Sequence, residues 1–307
     1  MIPQTSFPAP SIKDPPERAE RYITLPPPNV LVRARDGIFI VNRHDKFVGQ
    51  SLIVYGELVP EERKMLSSLI RLGDLVIEVG ANIGAHTVSI ARMVGSQGLV
   101  LAFEPLKRIF RMLATNMELN AIRNVDIRQL ACGAEDGYVV HPHINYDRIG
   151  NFGDTSLVSA PHSDTEDPDE AIRIVRLDDV IARKGLKHRP VRLIKADVEG
   201  MEQDVIEGAR QLIDRDRPIL YVENNFDPGG KWRQLIEQIK DLKYNLWWHL
   251  PFLFNPDNYF GEKRYVFRQP NLVSVNMLCI SSRVKANIKG GRVLRITNSD
   301  YHPVSSS

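Results

Sequence analysis

The sequence predicts an α/β fold in which a mostly parallel sheet carries helices on both faces. Three observations point there. From residue 74 the apolar pattern alternates between continuous runs and three- and four-residue spacing, in the order strand, helix, strand, helix, strand. The first strand breaks into glycines that open a helix, and further apolar strands end in acidic residues at Asp197 and Glu223. With 307 residues, 43% of them hydrophobic, the chain has enough apolar surface for a sizeable core, which excludes whole-chain disorder.

Eight of the 20 prolines fall in residues 1–28, a density that excludes a helix or central strand, so this stretch reads as a disordered arm. Residues 29–73 read as a cap: short strands around Val30–Arg35 and Ile38–Val41 with a turn at Asp36-Gly37, then a helix opened by Pro60 and closed by Gly73. The main domain is expected over 74–282. Its strands are Leu75–Val79, Leu99–Phe103, Val125–Leu130, Ile172–Leu177, Val191–Ala196, Ile219–Val222, Tyr244–His249 and Leu272–Ile280. Its helices are Ala85–Val94, Leu106–Asn120, a short one from Asp178, Met201–Leu212 and Lys231–Leu242. Residues 137–170, with the acidic run Asp164–Glu170, interrupt the alternation and read as an insertion beside the sheet. Residues 283–307 read as a polar tail.

A net charge of +2 argues against a protein that binds nucleic acid by neutralising phosphates. No stretch approaches the roughly 18 apolar residues of a membrane span, and the first residues carry no export signal, so a cytoplasmic location is expected. Two cysteines, Cys132 and Cys279, make neither a disulfide scaffold nor a CxxC ligand pair. A homo-oligomer is left open.

The chemistry concentrates in the run from Glu78 to Thr87. Gly80 and Gly84 permit a tight turn and close approach of a ligand to a helix N-terminus, which suits a nucleotide-like molecule. The third turn position is Asn82, so the dinucleotide pattern GxGxxG is not met. Glu78 before the turn disfavours a pyrophosphate and suits a cationic ligand. Glu104, 20 residues after Gly84 and at the end of the second strand, is placed to accept both hydroxyls of a ribose. A ribose with a positively charged amino-acid tail describes S-adenosylmethionine better than NAD.

These residues recur in company. Glu78-x-Gly80-x-Asn82-x-Gly84-x-His86-Thr87, Ala102-Phe103-Glu104-Pro105, Asn116-x-x-x-Asn120, Ala131-Cys132-Gly133-Ala134 and Ile194-Lys195-Ala196-Asp197-Val198-Glu199-Gly200-Met201-Glu202 together resemble the FkbM family of S-adenosylmethionine-dependent O-methyltransferases, over roughly residues 52–282. Ala196 stands where the family usually carries Ile or Leu. The resemblance implies a Rossmann-like class I methyltransferase sheet of seven strands with an antiparallel last strand. It implies a cofactor pocket lined by Glu78, Gly80, Asn82, Gly84, Glu104, Ala131 and Cys132.

Asp197 ends one strand and Glu223-Asn224-Asn225 follow the next, so their side chains are expected to converge beside the methyl donor. They could hold Mg²⁺, which takes oxygen ligands, or one carboxylate could act alone as general base. The metal set Asp197, Glu223 and Asn224 rests on analogy with the macrocin O-methyltransferase group. In a third reading Asp197 and Glu199 cap the following helix and position the amino acid of the cofactor. His249, in the aromatic stretch from Trp247 to Tyr259, is a candidate to take a proton beside rings that would stack a sugar. Asn151–Gly153 and Ser156 are candidates for an acceptor lid. The expected activity is methyl transfer to a hydroxyl of a sugar, glycan or polyketide-like acceptor. An NAD-dependent oxidoreductase on a related sheet and a non-catalytic binding module are the alternatives.

Overall fold

A computed structural model describes residues 15–17, 20–140, 143–153, 155–158, 160–163, 171–284 and 292–304. Most of the proline-rich arm (1–14 and 18–19) and the acidic run 164–170 lie outside the described residues. The chain starts with three strands, β1 (Tyr22–Thr24), β2 (Asn29–Ala34) and β3 (Gly37–Asn42), in one antiparallel sheet. β1 therefore falls in the stretch read as a disordered arm. Ala34 pairs with Gly37, so the hairpin turns at Arg35-Asp36, one residue earlier than expected. A short helix α1 (Val48–Gln50) runs into a π-helical turn (Ser51–Tyr55), and α2 spans Pro60–Leu69. Proline at the first helical turn costs α2 no hydrogen bond, and Glu61 and Glu62 favour its positive end.

The central elements follow the expected alternation: β4 (Leu75–Val79), α3 (Ala85–Val94), β5 (Leu99–Phe103), α4 (Lys107–Leu119) and β6 (Val125–Arg128). Then come β7 (Ala131–Cys132), β8 (Gly137–Val140), β9 (Ala171–Val175), α5 (Leu177–Arg183), β10 (Val191–Ala196), α6 (Glu202–Gly208), α7 (Arg210–Asp216) and β11 (Ile219–Glu223). The last are α8 (Lys231–Asp241), β12 (Tyr244–His249), β13 (Asn276–Ser281) and β14 (Val293–Arg295). The main sheet has the order β14-β12-β13-β11-β10-β4-β5-β6. Strands β11 to β6 in that order are parallel, and β13 enters antiparallel between β11 and β12.

Three expectations need correction. The sheet has eight strands among the described residues, because β14 in the supposed polar tail pairs with β12. The strand expected at Ile172–Leu177 does not join it; β9 pairs with β7 and β8 in a small separate sheet. The helix expected over Met201–Leu212 is two helices broken at Ala209, where the Asp178 carboxylate accepts from the amides of Gln211 and Leu212 and satisfies the start of α7.

Apolar residues from both faces of the sheet fill two core clusters. One includes the inward side chains of the N-terminal sheet, Val30, Val32, Phe39 and Val41, packed with Val88 of α3 and Leu113 of α4. Asn116 and Asn120, one turn apart on α4, bind the free edge of β3. Their Oδ1 atoms accept from Ile40 N at 2.7 Å and Ile38 N at 2.9 Å, and their amides donate back to the same residues' carbonyls. Two side chains thus take the place of a fourth strand.

Candidate active site

The strands β4, β5, β10 and β11 end on one edge, and a cleft of about 380 Å³ opens over them. Glu78, Gly80, Asn82, Glu104, Ala131 and Cys132 line it. Gly84 does not; it stands just behind, at the N-cap of α3 with φ +87°. Gly80 shows why a side chain is excluded from the turn: φ is +82°, and a Cβ there would lie 1.8 Å from the Asp197 carbonyl oxygen. Val79 and Asp197 are joined by a backbone hydrogen bond, so β4 and β10 deliver the glycine turn and the acid to the same spot.

Glu104 is buried, and its two carboxylate oxygens accept from Asn82 N at 3.0 Å and Leu106 N at 2.9 Å. Burial pushes its carboxyl up to about 7, against the pull of those two bonds. Each oxygen keeps a second lone pair for a ligand hydroxyl. Glu78 is buried as well, and Thr87 Oγ1 donates to it at 2.7 Å; burial raises its carboxyl, partly offset by the charge of Lys195. Cys132 forms part of the floor and Cys279 lies in the sheet; burial pushes both thiols up, so neither offers a thiolate.

At the acceptor edge the structure regroups the expected residues. Oxygens of Asp197, Glu199 and Glu223 lie within 4.8 Å of one another. Burial, then repulsion from Asp197, Glu199 and Glu202, drives the Glu223 carboxyl well up. Asn224 is not with them: its amide donates to Trp232 O and to Met277 Sδ inside the core, and Asn225 lines the cleft in its place. His249 is also elsewhere, buried and bonded through Nδ1 to the Tyr221 hydroxyl at 2.7 Å, and burial lowers its basicity. Of the aromatic stretch only Leu253 reaches the cleft; among the rings expected to stack a sugar, Phe254 packs against Tyr55 and Tyr265, and Tyr259 against Phe260. Asn151, Phe152 and Gly153 of the lid candidates line the cleft and Ser156 does not. The loop amides of Val198 and Gly200 are satisfied by Glu202, and no side chain caps the following helix α6, so the capping suggested for Asp197 and Glu199 is not seen.

Sequence reasoning missed Lys195, His86 and Glu62, which also line the cleft. Lys195 is 2% exposed and donates to Asp197 Oδ2 at 3.0 Å. Burial opposes its charge, but Asp197, Glu62 and Glu78 outweigh it and raise its basicity. A lysine inside an apolar strand, two residues before an acid and so on the same face, was the available signal. Glu62 gave none, because only the fold brings α2 to the strand ends.

The Methyltransferase FkbM domain family matches residues 78–246, more than half of the chain. Methyltransferase 1 of Beauveria bassiana (strain ARSEF 2860) is 28% identical over 144 residues, covering 43% of this chain and 57% of its own length. The 31-O-demethyl-FK506 methyltransferase FkbM of Streptomyces tacrolimicus is 26% identical over 191 residues, covering 52% of this chain and 69% of its own. A crystal structure of Methyltransferase FkbM from Methylobacillus flagellatus KT aligns with 75% of this chain and 52% of its own, at 13% identity and a TM-score of 0.41. The chain thus spans little more than half the length of the first of these relatives. Because the matched stretch runs from Glu78 through β4, the glycine turn, Glu104 and the Asp197 loop to Leu246, the chain belongs to the FkbM methyltransferase family.

Proposed function

We propose that the chain transfers the methyl group of S-adenosylmethionine to a hydroxyl of a small-molecule or glycan acceptor. The observation that carries this is the buried Glu104, fixed by Asn82 N and Leu106 N beside the Gly80 turn, which presents a carboxylate to a ribose. Ala131 and Cys132 form the floor for adenine, and Glu78 supplies negative charge towards the sulfonium. In the reaction the acceptor oxygen attacks the methyl carbon in line, the carbon–sulfur bond breaks with its electron pair going to sulfur, and the hydroxyl proton leaves. Asp197, held by Lys195, takes that proton, and Glu223, whose carboxyl burial and the neighbouring acids drive up, hydrogen-bonds the acceptor hydroxyl.

The oxygen-only set Asp197, Glu199 and Glu223 also fits a hard divalent cation. Mg²⁺ held there would supply positive charge that lowers the pKa of the acceptor hydroxyl. Among acceptors, a polyketide-like hydroxyl is favoured over a sugar, since the cleft lining includes the apolar residues Leu58, Val59, Leu253, Leu272 and Val273. The name of the Streptomyces relative points to an acceptor of that kind.

The test is incubation with deuterated-methyl S-adenosylmethionine and a cell extract, read by mass spectrometry. A labelled hydroxyl compound is expected; label on nitrogen or carbon alone would refute transfer to oxygen. Chelation during that assay separates the two activation routes: full labelling in EDTA removes the cation, and loss restored by Mg²⁺ assigns it.

A further inference from the structure

Six carboxylates line the cleft among the described residues. Glu78 is bonded by Thr87, Glu104 by two backbone amides and Asp197 by Lys195, while Glu199 and Glu223 converge with Asp197. Glu62 differs. It is 3% exposed, its Oε2 faces His86 Nε2 at 3.4 Å, and its Oε1 is buried with no hydrogen-bond partner. A buried carboxylate oxygen left unpaired costs free energy that a ligand donor would return. Burial alone would push this carboxyl up, yet His86, and beyond it Lys195 and His249, hold it down at about 2, so Glu62 is an anion.

Its place along the cleft selects the donor. Glu104 is tied to the glycine turn at Asn82, whereas Glu62 is tied to His86 in the first turn of the helix that follows. A nucleoside whose sugar sits on Glu104 and whose tail runs along the turn towards α3 brings its amino-acid end to Glu62. We infer that Glu62 is the counter-ion for the α-ammonium of the cofactor's amino-acid tail, with His86 as the positioning residue that aims it. The assignment rests on S-adenosylmethionine being the cofactor, and it gives the N-terminal helix α2, outside the matched residues 78–246, a share in the binding site. His86 at the N-terminus of α3 leaves the tail carboxylate on the positive end of that helix.

Two ligands separate this role from a structural one. S-adenosylhomocysteine carries the amino-acid tail; 5′-methylthioadenosine has the same adenosine and thioether without it. In calorimetric titrations Glu62→Gln should lose roughly 10- to 100-fold affinity for S-adenosylhomocysteine and bind 5′-methylthioadenosine as the unaltered chain does. Unchanged S-adenosylhomocysteine affinity, or an equal loss for both ligands, overturns the assignment. Should Glu62→Gln fail to fold, Glu62→Asp keeps the charge but withdraws it by one methylene. A smaller loss confined to S-adenosylhomocysteine is then expected, and no loss overturns the assignment. If the unaltered chain binds neither ligand, the cofactor reading falls and this inference with it.

Discussion

At Glu104 the two bonds from Asn82 N and Leu106 N do for the carboxylate what water does outside, which lets a buried acid face a ligand. Removing it in Glu104→Ala should weaken S-adenosylhomocysteine binding by about 1.5–3 kcal/mol by calorimetry. The same residue makes binding pH-dependent. Its carboxyl titrates at about 7 in the free protein, and the ribose hydroxyls donate to the ionised form. Affinity should therefore rise as pH increases from roughly 6 to 8 and flatten in Glu104→Gln; a pH-independent affinity in the unaltered chain would contradict the pairing. Gly80→Ala meets the Asp197 carbonyl oxygen and should lower both melting temperature and ligand affinity, at a cost of about 1–3 kcal/mol or more. Asp197→Asn should spare cofactor affinity and abolish label transfer. Glu78, Gly80, Asn82 and Glu104 were readable in the sequence because a strand, a turn and the next strand end are local features. Asn224 and His249 misled because position after a strand does not say which way a side chain turns: the pleat sends Asn224 to Trp232 and His249 to Tyr221.

Periodicity located most elements from β4 to α4 to within a residue or two, since each buries one stripe or face against the same sheet. It failed where polar side chains replace backbone partners. Asn116 and Asn120 belong to a helix by pattern, but their work is on β3, whose amides and carbonyls they satisfy. Asn116→Ala or Asn120→Ala should each destabilise the fold by about 1–3 kcal/mol in urea titrations, with the N-terminal sheet opening first in hydrogen exchange. The break between α6 and α7 was equally hidden, because its cause is the carboxylate of Asp178 on α5. Likewise α2 is an ordinary amphipathic helix in sequence, and only its packing on α3 brings Glu62 to the cleft.

The chain closes its sheet with a segment whose composition suggested a tail. After β14, His302 is fully buried against Trp232 and Trp248, and its Nε2 donates to the carbonyl of Asn224, next to Glu223 and Asn225 of the cleft. His302→Ala should cost about 1–3 kcal/mol of stability, and calorimetric ligand titrations should show a weaker site if this anchor holds the loop. A single buried histidine in a polar stretch carries no periodicity, so the sequence could not announce it. The two cysteines turn the molecule into its own reporter. Cys132 sits in the cleft floor and Cys279 mid-sheet, so an alkylating reagent reaches either one only through an opening fluctuation. A nucleoside seated over Cys132 should slow its modification beyond any slowing at Cys279, and the ratio of the two labelling rates distinguishes occupancy of the cleft from tightening of the whole protein.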